Sequence, residues 1–409
     1  MNSLSELEGE TILKPITTDV LVCGGGISGL LTVRSLLNLG LSVACVEKRK
    51  GGLGSKELLK DGRSTALLKP STDFLGDLGL WPSLSSKAQP LESLIICNMD
   101  PEKNIIDETC EFSAEDLGLQ CLGFNIPNDV LKNQLKKSLE SENKFLFLDD
   151  VLIEDITPRS QEIVATTNKQ HKITSKLLIG ADGRNSTIRQ LAQIGKYGID
   201  YSQQALVFSI IHELQHKAKS FEIYESGGPC TLVPNKTTHS DGHFSSVVLM
   251  QRPMEVQKFL QLNRAEMSSF ISKRTGSLLG KCEIQTKVKK FPVISQISRK
   301  FTGDRLLLLA ESAHVMPPIG AQGLNSSIQD IQSLTEFISH QKVIKEDFGH
   351  ENFLASFERA RVNQIRSRMA GIHILNKVSM YGCGMSTGIR KLGLRALKKN
   401  LKVRKFVMN

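Results

Sequence analysis

The chain has 409 residues, of which 40% are hydrophobic and 23% are charged, which is typical of a soluble globular protein with one large domain or two intergrown domains. Its net charge is +10, but 13 of its cations follow Glu358, the last acidic residue, so the first 358 residues carry a net charge of about −3. This distribution argues against a nucleic-acid partner bound across the fold, and no apolar run approaches the roughly 18 residues that a membrane span needs.

The N-terminus and the cysteines predict a cytoplasmic protein. Glu6, Glu8 and Glu10 stand where a secretory signal would have its apolar core. The eight cysteines include no C-x-x-C pair, and Cys23 and Cys45 lie in apolar, strand-like runs. Buried free thiols in a reducing compartment are therefore expected.

The first motif, TDVLVCGGGISGLLTVRSLLNLGLSVACVEKR, predicts a strand, a turn, a helix and a second strand. After an apolar strand at residues 20–23, Gly24, Gly26 and Gly29 follow the spacing G-x-G-x-x-G. These glycines would allow a tight turn, close approach of a pyrophosphate and close packing of the helix on the strand. Glu47 ends the second strand and can accept both hydroxyls of an adenosine ribose, which favours NAD or FAD over NADP at this site.

The second motif, SKLLIGADGRNSTIRQLAQI, predicts another strand followed by a turn and a helix. A strand at residues 177–179 leads to Asp182 and Gly183, a turn pair. Ser186 is a suitable N-cap for a helix that contains Arg189. The four residues form a complete D-G-x-x-S-x-x-R pattern, although a plain connection between strand and helix would also explain them.

The third motif, GDRLLLLAESAHVMPPIGAQGLNSSIQD, predicts a buried strand at residues 306–309, a loop and a helix that begins near Asn325. Pro317 stiffens the loop, whereas Gly320 and Gly323 permit close approach of a ligand to the backbone. The helix N-terminus would point at whatever the loop covers.

Glu311 and His314 in this loop allow two interpretations. A carboxylate followed by a histidine could form a general acid/base pair. The alternative is that Glu311 binds a ligand hydroxyl while His314 stabilises the loop, and the family resemblance given next favours this alternative.

The three motifs, in this order and at these separations, resemble those of the flavoprotein aromatic hydroxylases, the single-component FAD monooxygenases. The segments DGRSTALLKPSTDFLGDLGLWPSL, FNIPNDVLKNQL, GGPCTLVPN and PPIGAQGLN resemble the ubiquinone-biosynthesis branch, similar to 2-octaprenyl-6-methoxyphenol hydroxylases, and together the resemblance covers most of residues 17–375. The chain departs from the family pattern at Ala310, Glu311 and Asp129, where Gly, Asp and often Arg are usual.

The resemblance implies an α/β fold, α+β overall, in which a Rossmann-like FAD-binding domain is intergrown with a β-sheet substrate domain, as in para-hydroxybenzoate hydroxylase. The FAD-binding domain would comprise residues 17–84, 125–196 and 296–375, the substrate domain 85–124 and 197–295, and a basic tail 376–409. Within residues 85–124 and 197–295, strands are predicted in ESLIICNM, QALVFSIIHEL, SSVVLMQ and EIQTKVKKFPVI.

The resemblance also implies the cofactor-binding residues. They are Gly24, Gly26, Ile27, Ser28, Gly29, Glu47, Lys48, Arg63, Asn128, Asp182, Arg189, Glu311, Pro317, Gly320, Gly323, Leu324 and Asn325. His314 and Pro317 would lie next to the flavin, whose own chemistry makes a protein nucleophile unnecessary.

The activity that the resemblance implies is hydroxylation of the aromatic ring of a polyprenyl phenol in ubiquinone biosynthesis. NAD(P)H would visit transiently to reduce FAD, and O2 would react to give a flavin C4a-hydroperoxide that hydroxylates the ring. Two alternatives stay open: a hydroxylase of a small soluble phenol, and a non-catalytic flavoprotein scaffold of a quinone-synthesis complex. The ring position and the choice between NADH and NADPH are left undetermined, as is the oligomeric state.

Two further features need an interpretation. Residues 388–409 predict a cationic amphipathic helix, which could be a solvated terminus, a patch that holds the protein peripherally on the inner face of a membrane, or a nucleic-acid contact. His212 and His216 have a spacing that metal ligands on a helix can have, but surface histidines are the preferred interpretation, and no metal site is predicted.

Overall fold

The structure, a computed structural model, describes residues 15–53, 63–100, 103, 105–236, 242–344, 346–380 and 384–399. The strands are β1 (Ile16–Cys23), β2 (Val43–Glu47), β3 (Ser64–Leu68), β4 (Gln89–Leu91), β5 (Ser93–Asp100), β6 (Ile105–Ser113), β7 (Gly123–Pro127), β8 (Phe145–Asp149), β9 (Ile153–Pro158), β10 (Ile163–Thr167), β11 (Lys172–Gly180), β12 (Lys196–His212), β13 (Lys219–Glu225), β14 (Gly228–Asn235), β15 (His243–Gln251), β16 (Cys282–Ile284), β17 (Lys289–Ser298), β18 (Thr302–Gly303), β19 (Leu306–Leu308) and β20 (His314–Val315). The helices are α1 (Ile27–Asn38), α2 (Lys69–Asp77), α3 (Trp81–Ser85), α4 (Asn128–Leu139), α5 (Thr187–Leu191), α6 (Pro253–Gln261), α7 (Arg264–Arg274), α8 (Gln322–Ile344), α9 (Glu351–Met380) and α10 (Gly384–Lys399).

The first sheet brings the three sequence motifs to one edge. Its strands follow the order β18-β19-β11-β1-β2-β8, and β19, β11, β1, β2 and β8 run parallel. Strand β1 is apolar and wholly buried at Val20, Leu21 and Val22, because both faces of a parallel sheet are covered. Since parallel strands end at the same edge, the loops after β1, β11 and β19 meet there. The predicted Rossmann-like fold is confirmed.

The second sheet is mostly antiparallel and forms a wall beside that edge. Its order is β20-β17-β12-β15-β14-β13-β5-β6, with β16 paired to β12. The segments that predicted strands in residues 85–124 and 197–295 overlap β5, β12, β15 and β17. Helices α6 and α7 cover one face, where Phe208 and Phe259 stack with ring centroids 6.1 Å apart. The domain boundaries themselves stay a prediction.

A third, three-stranded sheet, β3-β7-β4, joins the other two. Ser64 Oγ donates to Ser246 Oγ at 2.8 Å, which ties β3 to β15. Asn125 Nδ2 donates to the carbonyl oxygen of Pro234 at 2.8 Å and to Asn235 Oδ1 at 2.7 Å, which ties β7 to the end of β14. These contacts tie the three-stranded sheet to the wall.

The basic C-terminal segment forms helix α10, which packs on β5 and β6. Leu394 is buried with Cys110 and Phe112, while Lys391 Nζ lies 2.6 Å from Asp107 Oδ2. Arg395 also contacts Glu108, again through an ion pair with the sheet. The alternative of a solvated terminus is therefore wrong for this helix, and residues 400–409 lie outside the described part of the chain. None of the described helices is long and apolar enough to cross a membrane.

Candidate functional site

The first glycine-rich turn has the close backbone packing that its sequence predicts. Gly24 has a φ of +116°, and a Cβ atom there would lie 2.4 Å from the carbonyl oxygen of Ala181. A Cβ on Gly29 would lie 1.8 Å from the carbonyl oxygen of Gly24. A side chain on Gly24 would clash with the backbone just after β11, and one on Gly29 would push α1 away from the turn, so the turn requires glycine at both positions.

The N-terminus of α1 faces open space. A Cβ on Gly26 would meet no atom within 4 Å, and Gly26 is exposed while Ile27 and Ser28 are half-buried. Among the described residues, α1 has neither a side-chain cap nor an acidic residue in its first turn. Its first N–H groups and the positive end of its dipole are therefore available to bind an anion such as a pyrophosphate.

Glu47 is held beside this turn by two backbone N–H groups. Its Oε2 accepts from the Gly25 N–H at 2.7 Å, and its Oε1 accepts from the Arg49 N–H at 2.9 Å. Each carboxylate oxygen can accept a further hydrogen bond, so both can still bind ribose hydroxyls. Lys48, the next predicted residue, is exposed at the same edge of the sheet.

The second motif is a helix cap more than a ligand-binding surface. Asp182 Oδ2 accepts from the Thr187 N–H at 2.7 Å, and Ser186 Oγ accepts from the Arg189 N–H at 2.9 Å. The Asp182 Oδ1 atom is buried and has no hydrogen-bond partner among the described residues, which leaves one acceptor unused.

Arg189 uses its side chain within the protein, and its predicted contact with the cofactor stays a prediction. Its side chain is only 3% exposed, because its guanidinium donates to the carbonyl oxygens of Ser312 at 2.8 Å and Arg184 at 3.0 Å. Arg189 therefore joins the second motif to the third and positions both loops.

The third loop contains the two departures from the family pattern. Ala310 has a φ of +57°, in the left-handed region where the family usually has Gly, so the methyl group there is accommodated at a cost in backbone strain. Glu311 is exposed, and Pro317 is buried. Gly320 has a φ of +62°, and Gly323 is open to solvent just inside α8, beside Leu324.

His314 belongs to a buried charged cluster that sequence reasoning missed. Its Nε2 lies 2.6 Å from Asp330 Oδ2, and the other oxygen of Asp330 accepts from Arg361 Nε at 2.9 Å. All three side chains are nearly inaccessible, and the charges of His314 and Arg361 outweigh burial and lower the pKa of the Asp330 carboxyl. Since Glu311 is exposed and His314 is turned to Asp330, the acid/base pair of Glu311 and His314 is wrong.

Asn325 also uses its side chain within the protein, and its predicted contact with the cofactor stays a prediction. Its Oδ1 accepts from the Leu68 N–H at 2.9 Å and from Ser71 Oγ at 2.7 Å. Its Nδ2 donates to the carbonyl oxygens of Ala66 at 2.8 Å and Ala321 at 2.7 Å. Asn325 thus fixes the start of α8 against β3 and α2.

The remaining predicted residues, Arg63 and Asn128, lie at the start of β3 and of α4. Asn128 Oδ1 accepts from Thr65 Oγ1 at 2.6 Å, and the Asn128 N–H donates to the carbonyl oxygen of Arg63 at 3.0 Å. The guanidinium of Arg63 lies 5.5 Å from the centre of the ring of Phe291, which belongs to β17 in the wall.

The loops together fit a dinucleotide cofactor. The open α1 N-terminus, the carboxylate of Glu47 and the unpaired Asp182 Oδ1 supply groups for an anion and for hydroxyls. The loop with Pro317 and Gly320 continues the same edge toward the wall. The donors and the space therefore match FAD, although the individual contacts stay a prediction.

A cavity of about 1780 Å³ lies elsewhere, at the far end of β12. It is lined by His212, His216 and His243, whose ring centroids are 6.0–6.1 Å apart. The prediction of surface histidines is wrong for His212 and His216, which are 3% and 8% exposed. Burial lowers the pKa of His212 to about 4 and also lowers the pKa of His216. Within the described residues, no group of His, Cys, Asp and Glu is placed to hold a metal ion.

Comparisons with known proteins agree with this geometry. The model of the family described as FAD binding domain matches residues 17–367. The chain is 25% identical to ubiquinone hydroxylase UbiL of Rhodospirillum rubrum, over 84% of this chain and 77% of that protein. It is also 25% identical to 3-demethoxyubiquinol 3-hydroxylase of Escherichia coli, over 93% of this chain and 95% of that protein. The crystal structure of p-nitrophenol 4-monooxygenase PnpA from Pseudomonas putida shares the fold, with a TM-score of 0.76 at 17% identity over 96% of this chain and 97% of that one.

Proposed function

The chain belongs to the FAD binding domain family, and from this we propose that it hydroxylates the aromatic ring of a polyprenyl phenol in ubiquinone biosynthesis, with NAD(P)H and O2 as co-substrates. Its cofactor is FAD and its reaction type is that of an FAD-dependent monooxygenase, as the sequence predicts. The full-length similarity to the 3-demethoxyubiquinol 3-hydroxylase carries the choice of substrate class.

The chemistry of the wall supports a phenol with an apolar chain. Val207, Val248 and Thr231 lie side by side on neighbouring strands and are half-buried on one face of the sheet. An apolar surface of this kind favours a hydrophobic substrate. Glu222, next to Thr231 on the same face, offers no cation to pair with a substrate carboxylate and so disfavours a hydroxybenzoate.

Different residues would hold the two ends of the cofactor. FAD, when bound, supplies the hydride acceptor and the oxygen-activating centre. The α1 N-terminus and Glu47 would hold its ADP half, while the loop from His314 to Gly323 would hold its ring end. Asp330 and Arg361 fix His314, and Asn325 fixes the start of α8, so that the loop is preorganised before the substrate arrives.

A substrate panel tests the proposal. FAD-loaded protein would be supplied with NADH or NADPH and with a demethoxyquinol that carries a polyprenyl chain, 4-nitrophenol or 4-hydroxybenzoate, and the products would be identified by mass. We expect one added oxygen on the prenylated ring with matched consumption of the nicotinamide. Turnover of the soluble phenols alone would select the soluble-phenol alternative, and FAD binding without turnover of any phenol would select the scaffold.

We also propose peripheral membrane contact through the surface where α9 meets α10. Ile374, Leu375 and Leu392 are 63%, 49% and 71% exposed, and Lys377 and Lys398 are exposed on the same helices. Apolar side chains among cations suit an anionic leaflet, where each nearby cation contributes about 1 kcal/mol. A variant with Ile374→Gln and Leu392→Gln should bind anionic vesicles more weakly than the wild type does. Equal binding of both proteins would refute the contact. Membership of a quinone-synthesis complex stays a prediction.

A further inference from the structure

Strand β13 places a buried carboxyl group in the wall that faces the third loop. Side chains directly opposite on neighbouring strands share a face. Glu222 is opposite Thr231 on β14, and Thr231 is opposite Val248 on β15. Val248 packs against the cluster that contains Met316 and Ile319 of the third loop. Glu222 therefore faces the side of the sheet on which the ring end of the cofactor is expected.

The wall is half-buried on the β14 side of Glu222, whereas on the β5 side Ile96, the residue opposite Glu222, packs against the cluster that contains Leu394 of α10. On β15, Ser246 bonds to β3, and Met250 packs into the same cluster as Met316. Val248 lies between these two contacts and is half-buried, as is Thr231 beside it. A substrate ring in this gap would lie between the wall and the third loop, within about two strand spacings, roughly 10 Å, of β13.

Glu222 is held ready to accept a proton. It is 3% exposed, and Tyr224 Oη donates to its Oε1 at 2.9 Å. Among the described residues Tyr224 is its one hydrogen-bond partner, which leaves Oε2 as a free acceptor. Burial raises the pKa of Glu222 to about 7, against the hydrogen bond from Tyr224, which lowers it.

Tyr224 acts as the donor to this carboxyl and not as the base. Burial and the neighbouring Glu222 raise the pKa of Tyr224 well above 10, even though the charge of Arg390 lowers it. Arg390 is fixed nearby, because its Nε donates at 3.0 Å to Oδ1 of Asn98, which lies opposite Tyr224 on β5. Burial therefore brings the pKa of the Glu222 carboxyl toward neutral pH and moves the pKa of the Tyr224 hydroxyl away from it.

We propose that Glu222 is the catalytic base that takes the hydroxyl proton of the phenolic substrate. The O–H bond of the phenol breaks, its proton forms an O–H bond with Glu222 Oε2, and the electron pair stays on the oxygen as a phenolate. The phenolate donates electron density to the ring and so favours attack by an electrophilic oxygen. After turnover, the neutral carboxyl returns the proton to water or to the departing diol. This inference rests on the proposed function.

The decisive variant is Glu222→Gln, which keeps the shape and removes the base. Its matched control is Glu111→Gln. Glu111 is exposed on β6, and its neighbours across the sheet, Ile95 and Phe221, lie on the face opposite to that of Glu222. We expect single-turnover hydroxylation to slow about 100-fold, a typical loss for a general base. Flavin reduction by NAD(P)H should change by less than about twofold, since general-base loss affects the later proton step. The change of the hydroxylation rate with pH near neutrality, called the neutral limb, should vanish with Glu222→Gln and persist with Glu111→Gln.

Tyr224→Phe provides a second readout that retains the base. Loss of the Tyr224 hydrogen bond should raise the pKa of Glu222, so the neutral limb of the hydroxylation profile should move to higher pH. An unmoved limb in this variant, or a wild-type rate and profile in Glu222→Gln, would overturn the assignment.

A spectroscopic titration separates this inference from the proposed function. FAD-loaded protein would bind 4-nitrophenol, and its phenolate absorbance would be followed against pH. Since a carboxylate beside a phenolate disfavours its charge, phenolate formation should be complete at lower pH in Glu222→Gln than in the wild type. Identical titrations would refute the role of Glu222. If the two titrations differ but the wild type hydroxylates no polyprenyl phenol, the proposed function is refuted and the assignment of Glu222 as the base stands.

Discussion

Substitution of Asp330 by Asn should strongly destabilise the protein, because Asp330 neutralises a buried arginine. Both side chains are nearly inaccessible, at 1% exposure for Asp330 and 3% for Arg361, and Arg361 Nε donates to the carboxylate at 2.9 Å. Removal of one partner from a buried ion pair costs about 3–5 kcal/mol, because the other charge is left without compensation in a medium of low polarity. We expect the free energy of unfolding of Asp330→Asn to fall by that amount.

Urea unfolding of the FAD-loaded protein measures this change, and exposed Asp304→Asn is the matched control. Control and wild type should agree within about 0.5 kcal/mol, as is usual for surface substitutions. Arg361→Met added to Asp330→Asn should recover part of the loss, because the uncompensated charge is then removed. An Asp330→Asn protein as stable as the control, or a double variant less stable than the sum of both changes, would refute the role assigned to this pair.

Three other changes have expected outcomes. Gly29→Ala should abolish FAD binding, measured by flavin fluorescence, because the new Cβ would lie 1.8 Å from the carbonyl oxygen of Gly24. Glu222 binds its proton more tightly in the folded state, with a pKa of about 7 against the ordinary 4.5, so the wild type should lose stability as pH rises through that interval. The difference is about 3 kcal/mol, and unfolding of Glu222→Gln between pH 4 and about 8 should lack it. Leu394→Asp should make α10 sensitive to trypsin, whereas Leu392→Asp should not, since these leucines are 7% and 71% exposed.

The strand–loop–helix motifs were predictable because they are local. Gly24 and Gly29 mark a tight turn by their spacing, and the apolar runs before them indicate buried strands. Their meeting at one edge follows from parallel pairing, which places the ends of β1, β11 and β19 together. Each of these inferences needs only the neighbouring residues and a general rule of sheet topology.

The buried hydrogen-bond clusters could not be predicted, because their partners are distant in sequence and follow no pattern. Asn325 occupies a motif position, yet its bond to Leu68 spans 257 residues. Asp330 falls within the helix pattern of α8, where an acidic residue ordinarily suggests an exposed face. The sequence around Glu222 predicts a strand but does not show which face of the sheet Glu222 occupies. The pairing of β13 with β14 shows this.

The basic C-terminal region shows why a count of charges does not establish a partner. Sequence reasoning assigned its cations to solvent, to a membrane or to nucleic acid, but Arg390, Lys391 and Arg395 of α10 are bound to polar side chains of β5 and β6. Helix α10 then lies over the strands beside β13, which carries Glu222. Any membrane contact must therefore rely on the exposed apolar side chains and on the cations that the sheet leaves free.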